Sequence, residues 1–207
     1  MNTPNKLNSF YGGILQKILK RHGYYHLNHQ IISEILEDTL ELNTGLGSAV
    51  EGSNFLPDFL GQLNPIPIDV IEIGTFMGLG TSVLASFSRT VFTFDIWYRN
   101  SHPLWVALEL DDRINCYTGN QKFIDDVIRA IQYNPELKIN FAFIDGEHKY
   151  KNVKHDFEQI KFCGRVLFHD ADIPEIGKFI TEEIGGKFLS EDKELGIGTF
   201  GYWEDGE

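Results

Sequence analysis

The stretch DVIEIGTFMGLGTSVLASF, residues 69–87, decides how this chain is read. Val70 to Ile73 form a short run that is apolar except for Glu72. Such near-continuous runs suit strands buried on both faces. Gly74, Gly78 and Gly80 follow, and then Val83, Leu84 and Phe87 recur at helical spacing. The reading is strand, glycine-rich turn, helix. The glycine spacing G-x-x-x-G-x-G differs from the dinucleotide pattern G-x-G-x-x-G, and no Lys follows as in a P-loop. Glycines let a ligand approach the backbone, and the helix start offers free N–H groups. The acid Glu72 would repel a pyrophosphate and suits a ligand carrying an ammonium group beside a carboxylate.

Working outward, the same alternation repeats. Val91–Phe94, Ile114–Tyr117, Ile139–Ile144 and Val166–Phe168 read as further strands. Phe123, Val127, Ile128 and Ile131 mark one helix between them, and Tyr150, Val153, Phe157 and Ile160 a second. A third runs through Ile173, Ile176, Ile180 and Ile184, with Asp172 as N-cap, Glu175 completing a capping box and Gly185-Gly186 at its end. Strand–helix alternation of this kind predicts a Rossmann-like, doubly wound α/β sheet, mostly parallel. Lys187–Ser190 and Ile197–Trp203 read as a closing antiparallel hairpin. In such sheets ligands sit at the carboxyl ends of the strands. The second strand ends in Asp95, 23 residues after Glu72, where a carboxylate can accept both hydroxyls of a ribose.

Upstream, residues 1–63 read as a helical extension. Ile14, Leu15, Ile18 and Leu19 form one segment, and Ile31, Ile32, Ile35, Leu36 and Leu40 another. A loose stretch from Asn43 to Ser53 precedes a short helix near Pro57. The expected division is 1–63 as extension and 64–207 as the ligand-binding domain.

The whole chain has 207 residues, 42% of them hydrophobic, which supports a packed core. Its 18 basic and 30 acidic residues give a net charge of −12. That balance argues against a generic nucleic-acid binder and against an anionic membrane surface. No apolar run reaches the ~20 residues needed to span a bilayer. Cys116 and Cys163 read as free buried thiols. The expectation is a cytoplasmic protein with a small-molecule partner, monomeric or homo-oligomeric. His22, His26 and His29 have helical spacing, but Gly23 and Asn28 interrupt them, which speaks against a metal site.

Glu72–Gly80 followed by Asp95 resembles the first two motifs of class I S-adenosylmethionine-dependent methyltransferases. Ile144-Asp145-Gly146-Glu147-His148-Lys149-Tyr150, with Val153 and Asp156, and then Gly164–Asp170, is similar to the small O-methyltransferase branch that includes catechol, sugar and macrolide O-methyltransferases. Cephalosporin hydroxylase-like proteins are similar too. The resemblance covers residues 64–203. It implies a seven-stranded sheet with an antiparallel last strand and S-adenosylmethionine as cofactor. It also implies that Glu72, Gly74 and Gly78 contact the methionine part, with Thr75, Gly80 and Thr81 on the same turn. Asp95 would hold the ribose, Trp97 would flank it, Gly119-Asn120-Gln121 would touch the adenine, and Asp145 would adjoin the cofactor. A branched side chain at Gly78 is then expected to block the cofactor and spare the fold.

The implied reaction is methyl transfer to a small-molecule acceptor, with a hydroxyl oxygen as the expected target. A hydroxyl must be deprotonated or polarised, and two devices could serve. One is a divalent metal held by Asp145, His169 and Asp170. His169 departs from the all-oxygen pattern of metal-dependent relatives and favours a metal other than Mg²⁺, or none. The other is a base, either His148 or Glu147, with Asp145 beside them. The alternatives are a hydroxylase-like enzyme on the same scaffold and a non-catalytic cofactor-binding protein.

Overall fold

A computed structural model describes residues 55–76, 78–97, 101–189 and 200–206. The expected helices at 14–19 and 31–40, the loop Asn43–Ser53, the three N-terminal histidines, and Ser190 and Ile197–Thr199 of the expected hairpin lie outside these residues.

The parallel sheet is built as the alternation predicts. The elements in order are α1 (Phe55–Gln62), β1 (Asp69–Ile73), α2 (Leu79–Phe87), β2 (Thr90–Asp95), α3 (His102–Ala107), β3 (Ile114–Thr118), α4 (Gln121–Gln132), β4 (Ile139–Ile144), α5 (Tyr150–Ile160), β5 (Arg165–Phe168), α6 (Pro174–Lys178), β6 (Lys187–Phe188) and β7 (Gly201–Glu204). The spatial order is β3-β2-β1-β4-β5-β7-β6. β1 pairs in parallel with β2 and β4, and β7 runs antiparallel to both β5 and β6. The chain direction of strand addition reverses between β1 and β4. That switch point opens a crevice at the strands' carboxyl ends.

The strands are apolar because helices cover both faces. All five residues of β1 and all four of β5 are buried. On one face Val70, Val83, Leu84 and Phe141 pack together with Leu56 and Leu60 of α1. That packing joins residues 55–62 directly to the sheet. On the other face Ile71, Phe94, Ile128, Phe157 and Phe168 form a second cluster. At the amino end of the sheet Asp69 is fully buried; it takes the Arg89 guanidinium, with Arg89 Nε at 2.9 Å, and the Lys138 backbone N–H at 2.7 Å. This buried acid is fully partnered, so it ties β1 to its neighbours rather than serving the crevice.

Four local expectations are corrected. α4 buries Ile124, Ile128 and Ile131, while Phe123 stays 43% exposed, turned against Gly119. The apolar stripe is rotated because Asn120 caps the helix, its side chain accepting the Phe123 N–H at 3.0 Å. The N-cap of α6 is Ile173 rather than Asp172, with Pro174 at the first turn. α6 then widens into a π-helical turn, Phe179–Glu183. Cys163 is buried as expected, but Cys116 is exposed on the edge strand β3, and both are free. Among the described residues no helix is long and apolar enough to cross a membrane.

Candidate active site at the carboxyl ends of the strands

The turn after β1 is held from three sides. Gly74 adopts φ +105°, donates its N–H to the Phe94 carbonyl at 2.8 Å, and lies against the β4 end. A Cβ on Gly74 would stand 2.1 Å from the Asp145 carbonyl oxygen. At Gly78, φ +80°, a Cβ would meet the Trp105 indole nitrogen at 2.7 Å and Ser101 Cβ at 2.8 Å. Trp105 donates its indole N–H to the Gly78 carbonyl at 3.2 Å, and Ser101 donates to the Phe76 carbonyl at 3.3 Å. α3 therefore packs directly on the turn. Both glycines are demanded by protein contacts and by left-handed backbone. The expectation that a side chain at Gly78 spares the fold is overturned by that contact.

Beneath the turn is a buried polar knot. Glu72 is 1% exposed, and its Oε2 accepts the Thr81 hydroxyl at 2.5 Å and the Thr93 hydroxyl at 2.6 Å. Thr93 Oγ1 also lies 2.6 Å from Thr75 Oγ1. Burial pushes the Glu72 carboxyl up to about 8, so it is mostly protonated at neutral pH. Glu72, Thr75 and Thr81, expected on the ligand turn, are buried and linked through Thr93 into one hydrogen-bonded knot that shapes the turn from below. Gly80 belongs to the same knot, because a Cβ there would stand 2.8 Å from Glu72 Oε1.

Asp95 stands at the surface of the crevice. Its Oδ2 accepts the Phe76 N–H at 2.9 Å and its Oδ1 accepts the Trp97 N–H at 2.9 Å. Each oxygen keeps a further lone pair for a ligand hydroxyl. Around it Phe76, Ile96 and Trp97 hold apolar side chains out to solvent, at 58%, 52% and 67% exposure. Gly119 bonds to the Asp95 carbonyl at 3.2 Å, which brings the start of α4 alongside. Asn120 is occupied as the α4 cap, and the Gln121 amide donates to Asp125 at 3.0 Å.

Across β1, the ends of β4 and β5 bring four titratable side chains together. Asp145 follows β4 and donates its N–H to the Ile73 carbonyl at 2.8 Å; His169 follows β5 and donates to the Ile144 carbonyl at 2.9 Å. His148 Nδ1 lies 2.7 Å from Asp170 Oδ2, and its Nε2 lies 3.5 Å from Asp145 Oδ1. His169 Nδ1 lies 3.1 Å from Asp145 Oδ1 and 3.2 Å from Asp170 Oδ2. That nitrogen is buried and makes a directed hydrogen bond to neither oxygen. One potential ligand atom from each residue lies within 4.8 Å of all the others. Asp170 sits at φ +51°, a left-handed conformation that costs energy outside glycine.

The charges in this cluster support one another. Bonding to Asp145 and Asp170 raises His148 to about 9. Burial opposes the charge on His169, but the same two carboxylates outweigh it and raise that ring to about 10. His148 and His169 hold Asp170 far below the usual carboxylate range. Burial works against Asp145, yet the imidazoles still hold it low. Glu147 is not part of the cluster. It is exposed and engaged by Lys149 and Asn152, which bind its two oxygens. His148, read from the sequence as a candidate base with Asp145 beside it, is embedded among Asp145, His169 and Asp170. The signal available was its spacing of three residues from Asp145 in the loop after β4; that it also reaches Asp170 depends on β4 lying beside β5.

A cleft of about 510 Å³ opens elsewhere, between α4 and α5 beside Trp203, and is lined by Ile128, Arg129 and Phe162 among others. It includes none of the expected site residues.

The sequence model of a methyltransferase-domain family matches residues 71–171. The uncharacterized protein y4gI of Sinorhizobium fredii is 25% identical over 126 residues, 54% of this chain; the aligned part spans 14% of that protein's length. Among solved structures, the O-methyltransferase from Bacillus cereus in complex with SAH is similar with a TM-score of 0.61 and 20% identity, over 95% of this chain and 97% of that one. The O-methyltransferase TomG from Streptomyces achromogenes, involved in tomaymycin synthesis and solved with SAM, has a TM-score of 0.62 and 15% identity, over 84% and 89%. At these identities the structural likeness is one of fold. Residues 71–171 thus match the model of a methyltransferase-domain family, and the sheet they build is similar in its Rossmann-like fold to the solved O-methyltransferases.

Proposed function

We propose that this chain transfers a methyl group from S-adenosylmethionine to a hydroxyl oxygen of a small molecule, within a domain of residues 64–207 to which 1–63 forms a helical extension. The observation that carries this reading is the pairing of two features across β1. Asp95 stands on one side with free lone pairs and apolar neighbours, and the Asp145, His148, His169 and Asp170 cluster stands on the other. S-adenosylmethionine supplies an electrophilic methyl group on a sulfonium that leaves readily.

The chain's own residues have three tasks. Asp95 accepts the two ribose hydroxyls, with Trp97, Phe76 and Ile96 offering apolar surface to the base and Gly119-Asn120-Gln121 beside it. The turn Gly74–Gly80, stiffened from below by Glu72, Thr75 and Thr81, fixes the methionine end, so the methyl group points at a stable position. Asp145 and His148 orient the acceptor hydroxyl, and His148, held largely protonated at neutral pH by Asp145 and Asp170, takes its proton in the fraction whose ring is neutral, a fraction that grows toward pH 9. Glu147, bound to Lys149 and Asn152, has no part in that transfer.

The donor set of Asp145, His169 and Asp170 also fits a divalent cation. The buried His169 Nδ1 faces two carboxylate oxygens without a directed hydrogen bond, as a metal-binding nitrogen would. A cation there would lower the pKa of the acceptor hydroxyl. The same imidazole–carboxylate set favours one second reading, a hydroxylase-like enzyme on this scaffold, for which oxygen consumption with a cosubstrate is the signature.

The test is calorimetric binding of S-adenosylhomocysteine, followed by methyl transfer across a panel of sugar and phenolic acceptors. Binding that disappears in Asp95→Ala supports the reading; binding unchanged by that substitution, or absent in the parent chain, removes it.

A further inference from the structure

We infer that Phe200, backed by Phe55, is a positioning residue: it sets the His169 ring and, through it, the two carboxylates that hold His148. The consequence for catalysis rests on the methyl-transfer reading given above, while the geometry stands apart from it.

Strand register brings Phe200 to the cluster. β7 runs antiparallel to β5, with Leu167 opposite Tyr202 and Phe168 opposite Gly201. One step further along that register, His169 faces Phe200. Cross-strand partners lie on one face of a sheet, where their side chains meet. The two rings do meet, with centroids 5.1 Å apart and planes at 73°, an edge-on contact. Gly201 keeps the register tight, because a Cβ there would stand 2.7 Å from Ile180 Cδ1 and 3.3 Å from Ala171 Cβ.

Phe200 is in turn held by its neighbours. It is 4% exposed, stacked on Phe55 of α1 at 4.1 Å and 17°, and set beside Phe143 of β4 at 6.5 Å. Its carbonyl accepts the Leu189 N–H at 3.0 Å. Phe55 thereby links α1 to the charged cluster through a single intervening ring.

His169 needs such a wall. Its Nδ1 lies 3.1 Å from Asp145 Oδ1 and 3.2 Å from Asp170 Oδ2, with a directed hydrogen bond to neither. Charge attraction draws the ring toward both oxygens but leaves its tilt open, since a hydrogen bond orients by angle and a bare ion pair hardly does. The aromatic contact supplies the missing constraint. Asp145 and Asp170 are also the carboxylates on His148, 3.5 Å and 2.7 Å from its ring nitrogens. A tilt of His169 therefore moves the oxygens that aim the proton acceptor. Leucine at position 200 would fill space but present no flat ring to the imidazole.

The experiment reads the imidazole signals of the full chain, labelled with ¹⁵N-histidine, by nuclear magnetic resonance at one fixed pH. His148→Gln and His169→Gln assign the two rings. Phe200→Leu should displace the signals of His169 and, through the shared carboxylates, those of His148. Phe200→Tyr, which keeps the ring, should leave both near their parent positions. Phe92→Leu, a like loss of core ring on the other face of the sheet, should move neither. Signals unmoved in Phe200→Leu, moved as far by Phe92→Leu, or moved as far by Phe200→Tyr would each overturn the inference. Should Phe200→Leu fail to fold, the half-buried Phe55→Leu decides: it should displace the His169 signals by a smaller amount, and no displacement overturns the inference.

Calorimetry with S-adenosylhomocysteine on the same samples separates the two readings. Its affinity in Phe200→Leu should stay within about twofold of the parent, and a larger loss would make Phe200 a general support of the fold. If the parent chain does not bind it, the methyltransferase reading falls and the ring signals still decide the positioning role. On an acceptor that the parent chain methylates, kcat in Phe200→Leu should fall on the order of tenfold with the KM for S-adenosylmethionine little changed, and the opposite split overturns the inference.

Discussion

The glycine turn after β1 and the charged cluster after β4 and β5 lie side by side at one end of the sheet, yet their residues are there for different reasons. In the turn every unusual residue answers to the protein itself. Gly74 makes room for the Asp145 carbonyl, Gly78 for Trp105, and Gly80 for Glu72. In the cluster no packing need explains the residues. Two imidazoles and two carboxylates are gathered at a site where aliphatic side chains would be cheaper to bury, and Asp170 is held at a positive φ to complete it. The difference teaches that glycine spacing reports the shape of a turn, while a costly grouping of titratable side chains reports chemistry.

Substitutions break the comparison in order of size. Gly74→Ala should do most damage. Left-handed backbone and a 2.1 Å approach to a main-chain oxygen together predict a loss on the order of 3 kcal/mol or more, read by urea unfolding. A stable Gly74→Ala protein would mean that the turn is looser than its contacts imply. Asp145→Asn should act the other way round. It should cut methyl transfer on the order of a hundredfold and change S-adenosylhomocysteine affinity far less, and equal losses in both would merge the two regions into one function.

A third test uses pH. Glu72 titrates at about 8 in the folded chain, against an ordinary 4.5. The folded state therefore holds a proton that the unfolded state has released between those values, so Glu72's contribution to stability is full below pH 4.5 and falls as pH rises through 8. His148 and His169, also raised, lose theirs at higher pH, from 6.5 up through about 9 to 10. Glu72→Gln should flatten the lower window by a few kcal/mol, seen as thermal midpoints that no longer drop between pH 5 and 8. Identical profiles for parent and variant would place the Glu72 titration elsewhere.

Smaller effects sharpen the picture. Trp105→Phe removes the indole hydrogen bond to Gly78 and should cost about 1 kcal/mol of stability. Glu147→Gln should leave turnover within about twofold, because that carboxylate is tied to Lys149 and Asn152; a large loss would return it to the list of bases.

The two regions also differ in how legible they were. The turn, the five parallel strands and the acid at Asp95 could be read locally, since apolar runs and glycines are short-range signals. What the glycines face could not, because Ser101 and Trp105 arrive from α3 more than 20 residues later. The inward orientation of Glu72 was equally hidden, as it depends on Thr93 from the neighbouring strand. Asp145, His169 and Asp170 were legible as neighbours because parallel order puts consecutive strand ends together. The membership of His148, and the isolation of Glu147 next to it, were not.

By itself the sequence determined a parallel α/β sheet, the identity of the acids and imidazoles at its carboxyl edge, and the turn between β1 and α2. Tertiary structure alone decided that Glu72, Thr75 and Thr81 close into a buried knot, and that four side chains from two loops converge within 4.8 Å. The reason is that periodicity and backbone propensity act over a few residues. Burial, and the sharing of protons between carboxylates and imidazoles, arise only when the strand order β1-β4-β5 brings distant loops into contact.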